Sequence, residues 1–426
     1  MVRVTRRLSL LVGLLICVAA PPLFAQVAPS ANKEKPGTYS VDTDVDNYKY
    51  FVCVPKAYDG KRPAGIHLYF HGQNGQTGAN NFGNWSKYFL EPYDLIGINM
   101  QYNDGDNYKD TDNKVRVARQ AVLQVLADYK TLPRGVVASF SGGGQTLGTF
   151  FSKHGKPANP RDAFWPFQHF SIYGSNFRVT ATGGPPMTWF IGLGGKEWNK
   201  FTIGQSQTAR AAELFADTAR GGCPDVYLRI EPAKDHAIST ADVAASAAMY
   251  ARGSVAFTPF VSAADFPERE LQQSVVNCNQ LALGRAETAL HALLMNANAK
   301  AEIKEKAQSL KTLLDERVDA VLKLSKQLST DDPVLFAWYS ALFAKQLAGH
   351  PRLKELTDIV AIVNKDAKAQ RAALADWANF VRGFPNVFSD KPGLKPGAAE
   401  SLEQVKAAVP PQSVLGTMAT EFLQLK

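Results

Sequence analysis

The chain has 426 residues, of which 45% are hydrophobic, and this length is sufficient for two domains with substantial cores. The composition excludes an intrinsically disordered protein, which would be poor in apolar residues. The formal net charge is +8, but the basic residues are scattered along the chain, so the charge does not predict a nucleic-acid-binding surface.

The N-terminal 25 residues have the organisation of a secretory signal peptide. Three arginines precede an apolar stretch from Leu8 to Ala20, which is followed by PPLFA. The apolar stretch is shorter than the roughly 20 residues that span a bilayer, so it predicts cleavage near Ala25 without stable membrane insertion. We therefore expect a secreted or periplasmic protein in which residues 1–25 are the signal peptide and 26–38 a linker. The twin-arginine and lipoprotein routes of export stay open as alternatives.

Residues 39–264 alternate strand-like apolar runs with helical stretches. The predicted strands are 48–54, 65–70, 95–100, 135–140, 169–174, 188–193 and 225–231. Helical spacing of apolar residues predicts helices over 113–130 and 204–221. Because strands that alternate with helices form mostly parallel sheets with helices on both faces, these residues predict an α/β domain.

From residue 265 onwards the strand-like runs stop. Apolar residues between Ile303 and Leu328 recur at helical spacing, with charged residues on the other faces. Asp332 and Pro333 are suited to the N-cap and first turn of a further helix. The sequence therefore predicts an all-α C-terminal domain over 265–426. Its role stays open between packing on the first domain, covering the active site, forming a homo-oligomer and binding an envelope partner.

The cysteines place few constraints on disulfide pairing or metal binding. Cys17 lies in the predicted signal peptide, which leaves Cys53, Cys223 and Cys278 in the mature chain. Three cysteines permit at most one intramolecular disulfide, and the pairing that we expect is Cys223 with Cys278. No metal-binding spacing is present, so we expect neither a metal nor a cofactor.

The segment VASFSGGGQ (137–145) joins a predicted strand to a helical stretch. A nucleophile at such a turn needs small residues two positions before and two positions after it, because the backbones crowd there. Ser141 has Ser139 and Gly143 at these positions, whereas a nucleophile at Ser139 would have Val137. The segment lacks the lysine of a P-loop and the glycine spacing of a dinucleotide-binding loop. We therefore predict Ser141 as a nucleophile.

With this turn, residues 45–255 resemble the α/β-hydrolase superfamily. Their layout is similar to that of secreted esterases of the feruloyl esterase and polyhydroxybutyrate depolymerase type, although the usual turn has Gly where this chain has Ser139. The resemblance implies an α/β-hydrolase fold with a mostly parallel central sheet, and an oxyanion hole of two backbone N–H groups. It assigns one to Gly142, directly after the nucleophile, and the other to Gln73, in the loop after the strand 65–70.

The resemblance also implies a histidine and an acidic residue that complete the site. The histidine of the superfamily follows the last strand, and His236 comes directly after 225–231. The acid is expected after the preceding strand, where Glu197 follows 188–193. Asp235 adjoins His236 and would point away from its ring in most backbone conformations, so we favour Glu197.

Ser141, Glu197 and His236 occur in the nucleophile, acid, base order of this superfamily. They predict a serine carboxylesterase that works through an acyl-enzyme. A serine peptidase or acyltransferase with the same triad is an alternative. A catalytically inactive hydrolase fold that binds a partner is another.

The predicted substrate is a carbohydrate-linked or short-chain ester. The loop 71–85 is rich in Gln, Asn and Gly, and aromatic residues follow at 162–167. Amide groups and indole rings suit sugar hydroxyls and ring faces, so we select Asn74, Trp165 and Trp198 as candidate substrate-binding residues.

Overall fold

The computed structural model describes residues 35–45, 48–72, 80–102, 110–159, 164–175, 187–197, 207–220, 223, 225–363 and 393–425. Eight strands in these residues form one sheet. In chain order they are β1 Gly37–Asp42, β2 Tyr48–Val54, β3 Ala64–Phe70, β4 Leu95–Tyr102, β5 Thr131–Phe140, β6 His169–Tyr173, β7 Thr188–Gly194 and β8 Val226–Glu231.

The strand order across the sheet is β1-β2-β4-β3-β5-β6-β7-β8. Only β2 runs against its neighbours: it is antiparallel to both β1 and β4. The other five pairs are parallel. The carboxyl ends of β3, β5, β7 and β8 therefore meet at one edge of the sheet, so the segments that follow these strands start close together.

The seven predicted strands are all present, with small differences in their bounds. Strand β1, Gly37–Asp42, was not predicted, because its side chains are exposed or half-buried and it has no apolar run. Strand β3 is buried along its whole length, as its continuous apolar run predicts for a strand with helices on both faces.

The helices are α1 Gly83–Trp85, α2 Glu91–Tyr93, α3 Thr111–Asp128, α4 Gly143–Phe150, α5 Gln207–Arg220, α6 Thr240–Phe257, α7 Gln272–Asn279, α8 Leu283–Met295, α9 Ala301–Asp331, α10 Pro333–Gln346, α11 Leu353–Val363, α12 Ala398–Ala408 and α13 Val414–Leu423. Wider π turns occupy Ser86–Leu90 and Phe151–Gly155, and 3-10 turns occupy Gly195–Glu197, Ala263–Asp265 and Arg269–Leu271. No helix among the described residues has the length and apolar character that a membrane crossing requires.

Strand β6 shows that helices cover both faces of the sheet. Neighbouring residues of a strand point to opposite faces. His169 Nε2 lies 2.8 Å from the Ser246 hydroxyl on α6. The ring of the next residue, Phe170, packs edge-on against Phe151, directly after α4. Helices α4 and α6 therefore lie on opposite sides of the sheet.

The helical region after α6 contributes to two hydrophobic cores. Apolar residues between Ala256 and Leu356 form a cluster of their own, built around α9. Those between Ala398 and Leu425 belong instead to the core that surrounds the sheet. The region after residue 265 is helical as predicted, and within it α12 and α13 join the core of the eight-stranded sheet rather than the cluster around α9. The bounds 265–426 of a separate all-α domain stay a prediction. The sequence pattern shows that these segments are helical but not which core their apolar faces join.

Asp332 links the two parts of the helical region. It caps α10 as predicted, because its carboxylate accepts the Leu335 N–H at 3.1 Å. Its second oxygen accepts the Val414 N–H at 2.8 Å, at the start of α13.

The expected disulfide is absent. Cys53, Cys223 and Cys278 are all free thiols. Cys223 Sγ donates to the carbonyl oxygen of Met187 at 2.8 Å and packs against the core of the sheet, whereas Cys278 is buried in the core around α9. The prediction of a Cys223–Cys278 bond was wrong, because the two residues belong to different hydrophobic cores.

Candidate active site

Ser141 lies in a tight turn between β5 and α4. Its φ angle is 50°, in the left-handed region that a residue with a side chain rarely adopts. The turn is held by the Ser141 N–H, which donates to the carbonyl oxygen of Tyr173 at 2.9 Å, at the end of the neighbouring β6. This geometry presents the serine hydroxyl at the carboxyl edge of the sheet.

Close backbone approach explains the small residues around Ser141. A Cβ atom on Gly143 would lie 2.4 Å from the carbonyl oxygen of Phe70, and one on Gly72 would lie 3.1 Å from the Cβ of Ser141. Ser139, where the superfamily usually has Gly, is fully buried, and its hydroxyl has no hydrogen-bond partner in the described part of the chain. The turn therefore tolerates a hydroxymethyl group two residues before the nucleophile but no side chain at residue 143.

A continuous chain of hydrogen bonds joins the three predicted side chains. His236 Nε2 lies 2.8 Å from Ser141 Oγ, and His236 Nδ1 lies 2.9 Å from Glu197 Oε2. Since a carboxylate only accepts, Nδ1 carries a proton and donates it to Glu197. In the neutral ring, Nε2 is then free to accept the proton of the serine hydroxyl. This is the tautomer that a general base requires.

Glu197 is held from both sides. It lies in the 3-10 turn directly after β7, and its side chain is only 1% exposed. While Oε2 faces the imidazole, Oε1 accepts the Gly194 N–H at 3.0 Å. Both oxygens are thus oriented, and the carboxylate can stabilise an imidazolium in a site with little water.

Asp235 does not face the imidazole. Its carboxylate accepts the N–H of the next residue, His236, at 2.7 Å. Of the two acids considered from the sequence, the structure brings Glu197 to Nδ1 and leaves Asp235 at the main chain.

The turn that carries Glu197 and the loop that carries His236 pack backbone against backbone. The Lys196 N–H donates to the carbonyl oxygen of Lys234 at 3.1 Å. A Cβ atom on Gly194 would lie 2.4 Å from that same oxygen. A side chain at this position would clash with the backbone, so the distance between acid and base depends on Gly194, whose N–H also orients the Glu197 carboxylate.

Two further residues, neither predicted, enclose the imidazole. The ring of Phe140 lies 4.7 Å from the ring of His236, measured between centroids, with the planes tilted by 31°. On another side, a Cβ atom on Gly174 would lie 3.0 Å from His236 Cε1. The side chain of His236 stays 22% exposed, so the ring is oriented by packing but open to a substrate. In the sequence, the only signal for Gly174 is that a strand ends there.

Gly142 is the N-cap of α4, directly after Ser141. Among the described residues, none accepts a hydrogen bond from its N–H. This donor is thus available to an oxygen beside the nucleophile. The other predicted donor, Gln73, lies outside the described residues, as do Asn74 and Trp198. The chain reaches Gly72 beside Ser141 immediately before Gln73.

Trp165 is half-buried and packs against the core of the sheet. Its ring packs against Phe150 and Phe151, with centroid separations of 5.6 and 4.9 Å. These rings follow the last turn of α4, about 10 Å along the helix axis from its start beside Ser141. The contacts found for Trp165 therefore lie away from Ser141, and its selection as a substrate-binding residue stays a prediction. A run of apolar residues in the sequence does not show whether these residues line a pocket or pack in the hydrophobic core.

One cluster of potential metal ligands occurs among the described residues, formed by Glu287, Asp315 and His350 in the helical region. The Lys311 ammonium lies 2.6 Å from Asp315 and 3.2 Å from Glu287, so a cation of the protein already pairs with both carboxylates. His350 Nδ1 accepts the Arg352 N–H, which places the proton of the neutral ring on Nε2. The nitrogen that faces the carboxylates then has no lone pair for a metal, so the cluster does not fit a metal site.

The strand order with antiparallel β2, the turn at Ser141 and the residues at the carboxyl edge define an α/β-hydrolase fold. The class of protein expected from the sequence is therefore confirmed at the level of the fold.

No protein-family model matches the sequence, and neither does any curated protein. Similar solved structures include an S-formylglutathione hydrolase from Agrobacterium tumefaciens, with 12% identity, a TM-score of 0.36, and coverage of 51% of this chain and 95% of that chain. A ferulic acid esterase from Anaeromyces mucronatus has 12% identity and a TM-score of 0.36 over 52% of this chain and 92% of its own. A siderophore hydrolase from Aspergillus nidulans has 13% identity and a TM-score of 0.35, with 52% and 96% covered.

Proposed function

We propose that this protein is a serine hydrolase, and most specifically a carboxylesterase that works through a Ser141-His236-Glu197 triad and an acyl-enzyme. The observation that carries the proposal is the unbroken hydrogen-bonded path from the Ser141 hydroxyl through both nitrogens of His236 to the buried Glu197 carboxylate. Three side chains from three separate turns have no structural need to align in this way.

In the first step, Ser141 Oγ forms a bond to the ester carbonyl carbon while its proton moves to His236 Nε2. Glu197 stabilises the resulting imidazolium through Nδ1. The negative charge on the carbonyl oxygen is stabilised by the Gly142 N–H and, in this proposal, by the Gln73 N–H. His236 then gives its proton to the departing alcohol, which leaves the acyl group on Ser141.

In the second step, a water molecule acts as the nucleophile in place of the serine hydroxyl. His236 takes a proton from the water as its oxygen attacks the acyl carbon. The proton then returns to Ser141 Oγ as the carboxylic acid leaves. No metal or redox partner is required for the balance of atoms and electrons.

The test is hydrolysis of p-nitrophenyl acetate and butyrate by the wild type and by Ser141→Ala. We expect the variant to lose activity by at least about 10⁴-fold, because the nucleophile is removed while the fold is kept. Ser152→Ala is the matched control: its hydroxyl is exposed and donates to the Gly148 carbonyl oxygen on the same helical segment, so wild-type rates are expected. Equal rates for Ser141→Ala and the wild type would assign the hydrolysis to another site.

A fluorophosphonate probe separates an enzyme from an inactive hydrolase fold. A covalent adduct on Ser141 in the wild type, absent in Ser141→Ala, supports a reactive nucleophile. A wild type without any adduct favours a binding protein.

The proposed substrates are carbohydrate-linked or short-chain esters. A panel of acetylated sugars, feruloyl esters, hydroxybutyrate oligomers and peptides tests the acyl and leaving groups. Turnover of peptides but not esters would favour a serine peptidase, and acyl transfer to an added alcohol would favour an acyltransferase.

The proposal includes export from the cytoplasm with removal of residues 1–25. Measurement of the intact mass of the protein from a periplasmic or secreted fraction tests it. A mass that retains these residues in that fraction, or protein found only in the cytoplasm, would contradict it.

A further inference from the structure

One buried carboxylate, that of Asp242, holds the loop that carries His236. Asp242 lies in the first turn of α6 and is fully buried. Its Oδ2 accepts from the Lys234 ammonium and, at 3.1 Å, from the Ser239 N–H. Lys234 and Ser239 lie on opposite sides of His236 in the loop. The Asp242 carboxylate therefore ties both arms of this loop to the helix.

The remaining oxygen of Asp242 is bound by Arg229, on β8. Arg229 Nη1 lies 2.7 Å from Asp242 Oδ1. Burial by itself would lower the pKa of Arg229, but the hydrogen bond to Asp242 and the charges of Glu421 and Asp242 together raise it above its usual value. The guanidinium therefore stays charged and bonded to the loop anchor.

Arg229 shares its guanidinium with the C-terminal helix α13. Its Nε donates to Glu421 Oε1 at 3.0 Å, and the other oxygen of Glu421 accepts the Tyr227 hydroxyl at 3.1 Å. Because the donors of a guanidinium form a rigid planar fork, fixing Nε on Glu421 also fixes the direction in which Nη1 meets Asp242. The last helix of the chain thus contributes to the geometry of the His236 loop.

The packing of α13 against the sheet fixes the position of Glu421. The apolar side of α13 is buried against the sheet, with Leu415, Met418 and Phe422 in its core. Burial raises the pKa of the Glu421 carboxyl, against the lowering by Arg229. Apolar packing positions the helix, and the partly desolvated Glu421 carboxylate meets Arg229, which also binds Asp242.

We propose that Glu421 is a positioning residue of the active site: through Arg229 and Asp242, it sets the orientation of the loop that directs His236 at Ser141. The inference rests on the proposed function. It assigns the C-terminal helix a role in the reaction, although neither Glu421 nor Arg229 contacts the reacting atoms.

The test is Glu421→Gln in the full chain, with p-nitrophenyl butyrate as substrate. Glutamine keeps the size of the side chain and still accepts from Tyr227, but it removes the charge that holds Arg229. We expect kcat to fall about tenfold because the base is misaligned, while KM stays within about twofold of the wild type. Glu403→Gln, at an exposed position on α12, is the matched control and keeps the wild-type kcat.

Arg229→Lys tests the same path from its centre. Lysine keeps the charge but lacks the fork with which Arg229 bonds Asp242, Glu421 and Glu231 together, so a similar loss of kcat is expected. Combining it with Glu421→Gln should add little further loss, because both changes break one path. If Glu421→Gln does not fold, Arg229→Lys takes its place as the test. A kcat about tenfold lower than that of the wild type then supports the inference, and a wild-type kcat overturns it.

A wild-type kcat in folded Glu421→Gln, with or without a lower melting temperature, would overturn the inference and leave Glu421 a purely structural role. Fluorophosphonate labelling separates this failure from that of the proposed function. A labelled wild type with equal labelling rates for Glu421→Gln rejects the positioning role alone. An unlabelled wild type rejects the proposed function and this inference together.

Discussion

A Cβ atom on Gly143 would lie 2.4 Å from the carbonyl oxygen of Phe70, closer than real Cβ contacts come. Gly143 belongs to the turn after the nucleophile, and Phe70 ends the strand that leads to the predicted oxyanion loop. The two functional segments are therefore in direct backbone contact. Any side chain at residue 143 must separate them.

We predict that Gly143→Ala destabilises the protein by about 1–3 kcal/mol, because backbone atoms must move to accept the methyl group. Esterase activity should fall more than stability alone explains, since the movement shifts Ser141. Urea unfolding and kcat at a temperature well below the transition measure the two effects. Gly83→Ala is the control, because a Cβ there meets only the flexible Asn81 side chain. A Gly143→Ala variant that matches the Gly83→Ala variant in both measurements would contradict the proposed crowding.

Glu197→Gln is predicted to lower kcat by about 10²–10⁴-fold with little change in KM. A neutral amide cannot stabilise the imidazolium, and one amide cannot accept from both the His236 ring and the Gly194 N–H through two oxygens. Asp235→Asn is the comparison variant, because the Asp235 carboxylate accepts the backbone N–H of His236, whereas the two ring nitrogens of His236 face Glu197 and Ser141. We expect it to cost less than about tenfold. A larger loss for Asp235→Asn than for Glu197→Gln would reverse the assignment of the acid.

The third prediction concerns acid stability. His67 is fully buried against Trp85 and Phe89, without a hydrogen-bond partner for its ring nitrogens among the described residues. Burial lowers its pKa to about 3, far below the value near 6.5 of an unfolded chain. The unfolded state therefore takes up a proton first, so the stability from this residue is complete above about pH 6.5 and is lost as the pH falls towards 3.

We expect the free energy of unfolding to fall between pH 7 and pH 5, with His67 responsible for about 2 kcal/mol of the fall. In His67→Leu, the fall should be smaller by that amount, as measured by urea unfolding at both pH values. His291→Leu, at an exposed position on α8, is the control and should follow the wild type. Parallel pH dependences for His67→Leu and the wild type would show that the buried ring does not resist protonation.

The cysteines provide a fourth prediction. Because Cys53, Cys223 and Cys278 are free thiols, a reducing agent should leave the melting temperature unchanged, whereas loss of a native disulfide would cost about 2–5 kcal/mol. Burial raises the pKa of the Cys278 thiol to about 12, so this residue should resist alkylation at pH 8 in the folded protein and react after denaturation. Peptide mass mapping after iodoacetamide treatment reports each site. A lower melting temperature in dithiothreitol would contradict the free thiols.

Much of the fold could be predicted from local patterns. The runs 48–54 and 169–174 correspond to β2 and β6 because apolar residues in short blocks favour strands wherever they occur. The edge strand β1 was missed, because an exposed strand gains its stability from pairing with β2 rather than from its own composition. The order β1-β2-β4-β3 also required the structure, since pairing partners are distant in the chain.

The sequence by itself determined the residue types at the turns of the candidate site: a serine between small residues at 139–143, a carboxylate at residue 197 and a histidine at residue 236. Local sterics indicated Ser141, and the resemblance to the superfamily implied the other two, since its acid and base follow strands whose carboxyl ends lie at one edge of a parallel sheet. Only the tertiary structure decided that Glu197, not Asp235, meets the imidazole, that Trp165 packs on Phe150, and that Glu421 returns from the end of the chain to Arg229. These are contacts between side chains distant in the chain or questions of where a side chain points, and they are settled by packing rather than by any local preference of the chain.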